Sequence, residues 1–503
     1  MQRDLVVVFD CGATNLTVVV VDAGGKLVAS SSRPNATVRQ PGKPEGWLVW
    51  DLDALWASLT SACRECLQQV DSSRLAAMTV TTWGADGTPV DAEGKPLYPP
   101  ISWQDCRTEP LASTILEELD QWDIYRITGY QVIPFNTLLK LRWLRENEPQ
   151  TLQEAHRFLM MPGLLSLRLC GQYSLDATSA GTMMAMDMSG RRLSSQLLQW
   201  AGVDEALFPP LTEPGCVIGH LTAQAAADTG LPAELPVVAA GHDTQFAAVG
   251  CGAGPEEVIL SSGTWEILMQ RTDRFAPTRD DLADGLLTEA DAQPDRYNPQ
   301  LLMMGSGVIE WLRGRFFADA TGKQVGHDEM MAAAAKVAPG ADGITVLPSF
   351  VPDTGPQRRY HTAGTVLGLK LGTGRDELYR ATLEGLSYQL RQALEILARS
   401  SDVPCRGIRA VGGGSRNALW NQIRADVCGL PVTTIEQREA TVLGAAMFAF
   451  TGAGLFSGIA QAQAQMVGGT EVFDPSSHVE QYESLYQAYA TVGPALHDFY
   501  CRP

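Results

Sequence analysis

The chain has 503 residues, 45% hydrophobic and 19% charged, with 48 glycines and 29 prolines spread along it. That length is too great for one core and predicts two large domains of ordinary globular composition. A net charge of −19 argues against nucleic acid or an anionic membrane as partner, so any nucleotide must be held by local backbone amides, helix N-termini and metal.

No apolar run reaches the roughly 18 residues that span a bilayer, and Met1-Gln2-Arg3-Asp4 runs into a strand without a signal-like segment. The ten cysteines are scattered, as free thiols in a reducing compartment are. Cys63 and Cys66 share a helical spacing with Leu55, Leu59 and Leu67, which predicts core cysteines rather than a zinc site. The expectation is a cytoplasmic protein with no membrane or nucleic-acid partner, and with room for a homo-oligomer.

In chain order, residues 5–31 read as a three-stranded meander. Its first strand ends in Asp10-Cys11-Gly12-Ala13-Thr14-Asn15, and Asp22-Ala23-Gly24-Gly25 makes a tight turn. A helix at 53–70 and a strand at 75–82 follow, the strand running into Trp83-Gly84-Ala85-Asp86-Gly87. Helical periodicity marks 107–121, 134–147 and 162–170. A short strand at 235–240 leads into Gly241-His242-Asp243-Thr244-Gln245 and a helix over 244–249. The order then restarts with a strand pair at 257–270, a helix at 305–318 and a long helix at 376–399. Strand 407–411, Gly412-Gly413-Gly414-Ser415-Arg416-Asn417, helix 418–428, strand 431–435 and helix 438–452 complete an alternating pattern. The boundary falls near Gly250–Pro255, giving domains 1–249 and 250–503.

An Asp at the end of an apolar strand is costly unless paired or solvated. With Gly12, Thr14 and Asn15 at the turn, Asp10 suits phosphate held near Mg²⁺, the metal reached through water. An ordinary hairpin with an Asx turn is the alternative. The turn Ser261-Ser262-Gly263-Thr264-Trp265 repeats the pattern about 250 residues later without the Asp, and two such hairpins suggest domains facing each other across a cleft. Asp243, at a strand end near the junction, is the candidate general base for a phosphoryl acceptor. An N-cap is its competing reading. Gly412–Gly414 let a backbone lie against a base or ribose. Trp83, Asp86, Trp103, Gln104 and Asp105 are candidate sugar contacts, through indole faces and polar groups on hydroxyls. P-loop and full dinucleotide fingerprints do not occur in the sequence.

Together these residues resemble the FGGY family of carbohydrate kinases over essentially the whole chain. Phe135-Asn136-Thr137-Leu138-Leu139-Lys140-Leu141-Arg142-Trp143 is similar to that family's first signature, and Gly364-Thr365-Val366-Leu367-Gly368 with Ala381-Thr382-Leu383-Glu384 to its second. The resemblance implies an α/β fold of two ribonuclease-H-like domains, of the actin and hexokinase type, flanking a cleft that holds ATP, Mg²⁺ and a sugar. It assigns Asp10 to the metal's water shell and Asp243 to the base. Thr14, Asn15 and Thr264 go to phosphates, and Gly307, Gly413, Gly414 and Asn417 to the nucleotide. Glu310 stands where glycerol kinases carry Gln, which puts an adenine contact there in question. Trp83–Gly87 differs from the Arg-Glu pair of glycerol kinases and argues against glycerol. The acceptor implied is a ketose, L-fuculose first, with L-rhamnulose and D-xylulose as alternatives and a non-catalytic sugar-binding relative as the rival.

Overall fold

The computed structural model describes residues 3–318, 322–401, 403–436 and 439–501. Two sheets organise them. The first contains β1 (Leu5–Cys11), β2 (Asn15–Asp22), β3 (Leu27–Pro34), β4 (Leu75–Thr82), β5 (Val217–His220) and β6 (Pro236–Val238), in the order β5-β6-β4-β1-β2-β3. The second contains β7 (Glu257–Ser262), β8 (Trp265–Met269), β9 (Leu287–Ala290), β10 (Tyr297–Met304), β11 (Gly407–Val411), β12 (Val432–Ile435) and β13 (Thr470–Phe473), in the order β9-β10-β8-β7-β11-β12-β13.

Both sheets carry one plan. An antiparallel meander, β1-β2-β3 or β7-β8-β10, pairs through its first strand with a parallel strand, β4 or β11, which pairs in turn with a further parallel strand, β6 or β12. This is the expected pair of ribonuclease-H-like halves. Antiparallel edge strands β5, β9 and β13 extend it.

The helices follow the apolar periodicity. In α1 (Leu52–Leu67), Leu55, Leu59, Cys63 and Cys66 are buried, and the Asp51 carboxylate caps the N-terminus through the amides of Asp53 and Ala54. Both cysteines are core, and burial pushes their thiols up to about 12 and about 11. α2 (Thr137–Asn147), α3 (Asp243–Gly250), α4 (Ser306–Phe316), α5 (Arg375–Ser400), α6 (Ala418–Cys428) and α7 (Ala440–Gly452) lie within two or three residues of the expected spans. The helix expected to begin at Arg438 has that residue outside the described ones.

The pattern at 107–121 is broken where Asp120 caps a new helix, Gln121–Thr128, through the amide of Trp122. Strands β9, β10 and β13 and helices Val479–Ala490 and Val492–Tyr500 carry no strong pattern in the sequence.

The halves exchange helices. Val442, Leu443, Ala446 and Met447 of α7 share a core with Val6, Val8, Val19 and Val21 of the first sheet. Ala248 and Cys251, in and just after α3, pack with Ile259, Met269 and Val411 of the second. The two helices touch backbone to backbone: a Cβ on Gly444 would lie 1.9 Å from the Phe246 carbonyl, and one on Gly250 would lie 1.9 Å from that of Ala440.

Candidate active site between the two sheets

β1 and β2 run in register to Asp10↔Thr17 and Cys11↔Leu16, and the turn closes with Gly12 N–H donating to the Asn15 carbonyl at 2.8 Å. Thr14 and Asn15 are exposed at the tip. The β7–β8 turn matches it, with Gly263 N–H donating to the Trp265 carbonyl at 2.9 Å and Thr264 exposed. The start of α4 braces this second turn. Gly305 and Gly307 donate backbone N–H to the Thr264 carbonyl, each at 3.1 Å, and Ser306 donates to that of Gly263. Gly307 therefore spends its amide on the hairpin, and a Cβ there would press on Met304 and Thr264. Its place is under that turn.

Ser262 faces inward. Its hydroxyl donates to Glu266 at 2.7 Å and receives Arg424, and Glu266 and Arg424 form a fully buried ion pair. Only a glycine can sit beside it. Gly412 has φ +88° with the Ser262 carbonyl 2.6 Å from any Cβ, and a Cβ on Gly414 would lie 2.2 Å from the Ser262 hydroxyl oxygen. Gly413 faces open space instead. It lines a cavity of about 390 Å³ with Gly414, Asn417, Tyr379, Glu310 and Ser306. Asn417 is the N-cap of α6, accepting from Trp420 N–H at 2.9 Å and donating to the Tyr379 hydroxyl at 3.0 Å. Glu310 is paired with His327 at 3.0 Å and Arg313 at 3.1 Å.

A second cavity, of about 220 Å³, lies between the sheets. Trp83, Trp103 and Phe135 wall it from the first half, and Ile267, Leu287 and Leu302 from the second. Trp103 is 39% exposed and meets Phe135 edge-on at 6.4 Å. Asp86, expected to touch a sugar, is fully buried beneath this wall. Its carboxylate receives the indoles of Trp50 and Trp83 at 2.6 and 2.7 Å, the Trp103 N–H at 3.2 Å and Lys140 Nζ at 2.5 Å. It holds both tryptophans in place, and four donors leave it little to offer a ligand.

Asp105 is likewise spent on Arg107, with both side chains fully buried. Gln104 accepts from Thr37 at 3.3 Å and is not part of the cavity wall. The turn at Trp83–Asp86 is clamped further. Ala85, at φ +65°, donates its N–H to Thr182 and accepts from Thr137 and Lys140 of α2.

Asp10 lies at the floor of the cleft, pairing across to Thr81 of β4, whose hydroxyl donates to Oδ1 at 2.9 Å. Burial, then the charge of Asp243, raises its carboxyl to about 7. Asp243 is the first residue of α3, and the cap position belongs to His242. Asp243 Oδ1 accepts from the Thr244 amide at 2.6 Å and faces His242 Nδ1 at 3.2 Å. The strand before it passes close to Asp176 and Thr178, leaving no room for a Cβ at Gly241. A carboxylate whose charge is disfavoured in this way fits a divalent cation, and Asp10 would meet one through water, since among the described residues no cluster of three or more His, Cys, Asp or Glu could hold a metal.

The model of the N-terminal domain of the FGGY family of carbohydrate kinases matches residues 5–250, and that of the C-terminal domain matches 258–453. The chain belongs to the FGGY family. An L-fuculokinase of Escherichia coli strain K12 is 39% identical over 96% of this chain and all of its own length. An L-fuculokinase of Haemophilus influenzae is 36% identical, covering 92% of this chain and 97% of its own. In structure, the FGGY chain superposes on xylulose kinase from Rhodospirillum rubrum with a TM-score of 0.88 at 26% identity, covering 99% and 100% of the two chains. It is a carbohydrate kinase that uses ATP.

Both FGGY signatures have physical roles. The first supplies Phe135 to the cavity wall and Thr137 and Lys140 to the clamp on Trp83–Asp86. The second builds core away from the cleft, where Glu384 binds Arg380, the Tyr482 hydroxyl and the Gly340 amide. Residues missed from sequence are Phe135 and the cavity wall from the second half, Ile267, Leu287, Glu289 and Leu302. Phe135 stands in the signature itself and could have been found. Among the described residues no helix is long and apolar enough to cross a membrane.

Proposed function

We propose that this FGGY kinase transfers the terminal phosphoryl group of ATP to the C1 hydroxyl of L-fuculose. The observation that carries the sugar is 36–39% identity with L-fuculokinases along nearly their whole lengths. The apolar faces of Phe135, Ile267, Leu287 and Leu302 support it, because they suit the methyl end of a 6-deoxy sugar. Such a ketohexose has its one primary hydroxyl at C1.

In this reading residues 1–249 hold sugar, metal and base, and residues 250–503 hold the nucleotide. Trp83 and Trp103 stack on the sugar while Asp86 fixes the Trp83 indole and the Trp103 backbone. Asp243 takes the proton of the C1 hydroxyl as that oxygen attacks the terminal phosphorus and ADP leaves. Thr14, Asn15 and Thr264 donate to phosphate oxygens from opposite hairpins. The ribose and base lie along Gly413, Gly414 and Asn417, with Gly307 bracing the turn below. Asp10 would hold Mg²⁺ through water, and the metal would supply neutralising charge to the phosphates.

A coupled ADP-release assay over a panel of ketoses and alditols tests the substrate. L-Fuculose is expected to give the highest kcat/KM, with phosphate found at C1 of the product. A higher value for L-rhamnulose or D-xylulose removes the named sugar.

A further inference from the structure

His242, next to Asp243, and Glu289, which comes from the opposite half on β9, stand among the polar groups in the wall of the sugar cavity that this mechanism leaves unused. Glu289 is 3% exposed, too deep for a carboxylate without partners. Its Oε1 receives the Tyr130 hydroxyl, and its Oε2 receives Gln245 Nε2 at 2.6 Å and lies 3.6 Å from His242 Nε2. Gln245 in turn accepts from Asn298 at 2.9 Å. The network thus alternates between halves: Tyr130, His242 and Gln245 from the first, Glu289 and Asn298 from the second. The other ring nitrogen of His242, Nδ1, is buried without a hydrogen-bond partner and lies at ion-pair distance, 3.2 Å, from Asp243 Oδ1.

We propose that Glu289 is a positioning residue for the phosphoryl acceptor: from the second half it holds the His242 ring, charged, between itself and Asp243, so that the base is set only when the halves meet. The inference rests on reading Asp243 as that base. An imidazolium carries N–H on both nitrogens, and here each nitrogen lies at ion-pair distance from a carboxylate, 3.2 Å and 3.6 Å. Burial opposes the charge, but Glu289, Asp243 and Asp176 outweigh it and raise His242 to about 9. Tyr130 reaches His242 only through Glu289, and Asp10 lies beyond Asp243. The charged ring is a fixed cation, which costs no reorganisation when the acceptor hydroxyl gives up its proton.

Histidine-ring NMR from about pH 6 to about pH 10, with His242→Gln to assign the signal, tests the pair without substrate. The His242 ring is expected to remain charged at about pH 8 and, in Glu289→Gln, to titrate lower by about one unit or more. In kinetics Glu289→Gln should lower kcat by about tenfold or more, with the alkaline limb of kcat moved to lower pH and KM for ATP within about threefold. Glu289→Asp, which keeps the charge, should restore part of that limb.

A clamp that only ties the halves together predicts a lower melting temperature with an unmoved pH profile, and that result overturns the proposal. So does a wild-type His242 that titrates near its ordinary value. If Glu289→Gln fails to fold, His242→Gln decides, since an alkaline limb that persists unchanged in it also overturns the proposal. A wild type that phosphorylates no ketose would sink the substrate reading, while the NMR measurement would still judge the pair.

Discussion

The contacts of Asp243 gather on Oδ1, which takes the Thr244 amide and faces His242, so the carboxylate is oriented by its neighbours. Asp243→Asn keeps that shape but cannot accept a proton. A loss in kcat of about 10²–10⁴-fold is expected, with sugar binding and melting temperature little changed. Because His242 and not Asp243 occupies the cap position of α3, a cap-only role predicts neither effect. A mutant keeping more than about a tenth of wild-type kcat would remove Asp243 from the role of base.

Asp10 makes a different prediction. A carboxyl raised to about 7 binds its proton more tightly folded than unfolded. Its contribution to stability is therefore present at low pH and lost as pH rises from its ordinary value through about 7. Asp10→Asn should raise the melting temperature in chelator at about pH 8 while kcat falls by about 10²-fold or more. Calorimetry in buffers of different ionisation enthalpy should also show a proton released when Mg²⁺-ATP binds near neutral pH. Absence of both would separate Asp10 from the metal.

At the scale of elements, the three glycines after β11 have separate reasons to be there. Gly412 needs a positive φ and close approach to Ser262, Gly414 needs the approach alone, and Gly413 has open space. Gly412→Ala should therefore lower stability by about 1–3 kcal/mol, combining backbone strain with overpacking. Gly413→Ala should leave the melting temperature unchanged and raise KM for ATP severalfold, because its only cost is paid against the ligand. Equal stability losses in the two variants would show that the turn is purely structural. α2 gives a second case of element before residue. Thr137 and Lys140 fasten the Trp83–Asp86 turn from one helical face, and Lys140 with Asp86 forms a buried pair. Removing one partner of such a pair costs about 3–5 kcal/mol.

For the whole molecule, α3 and α7 cross with glycine against backbone while each packs on the opposite sheet. The cavity proposed for the sugar takes its walls from both halves, so binding sugar and nucleotide together should close the cleft and exclude water, which would otherwise accept the phosphoryl group. Hydrogen exchange with L-fuculose and a non-hydrolysable ATP analogue should show protection at the Trp83–Gly87 and Ser262–Trp265 turns beyond that given by either ligand alone. An unchanged profile at saturation would argue against closure.

The sequence by itself determined what depends on neighbours along the chain. The apolar strand ending at Asp10, the matching turn at Gly263-Thr264, the glycines after β11 and the helical stripes all rest on local backbone geometry and periodicity, and they located both hairpins and the family. Side-chain allegiance needed the tertiary structure. Asp86 and Asp105 read as ligand groups in the sequence, and the fold pairs them with Lys140, far along the chain, and Arg107, folded back on it. Glu289 sits in a strand with little alternation and gains meaning only where β9 meets His242 across the cleft. A carboxylate's role is set by the charges and donors within a few ångströms of it, and across two domains those partners are chosen by packing, which no local pattern encodes.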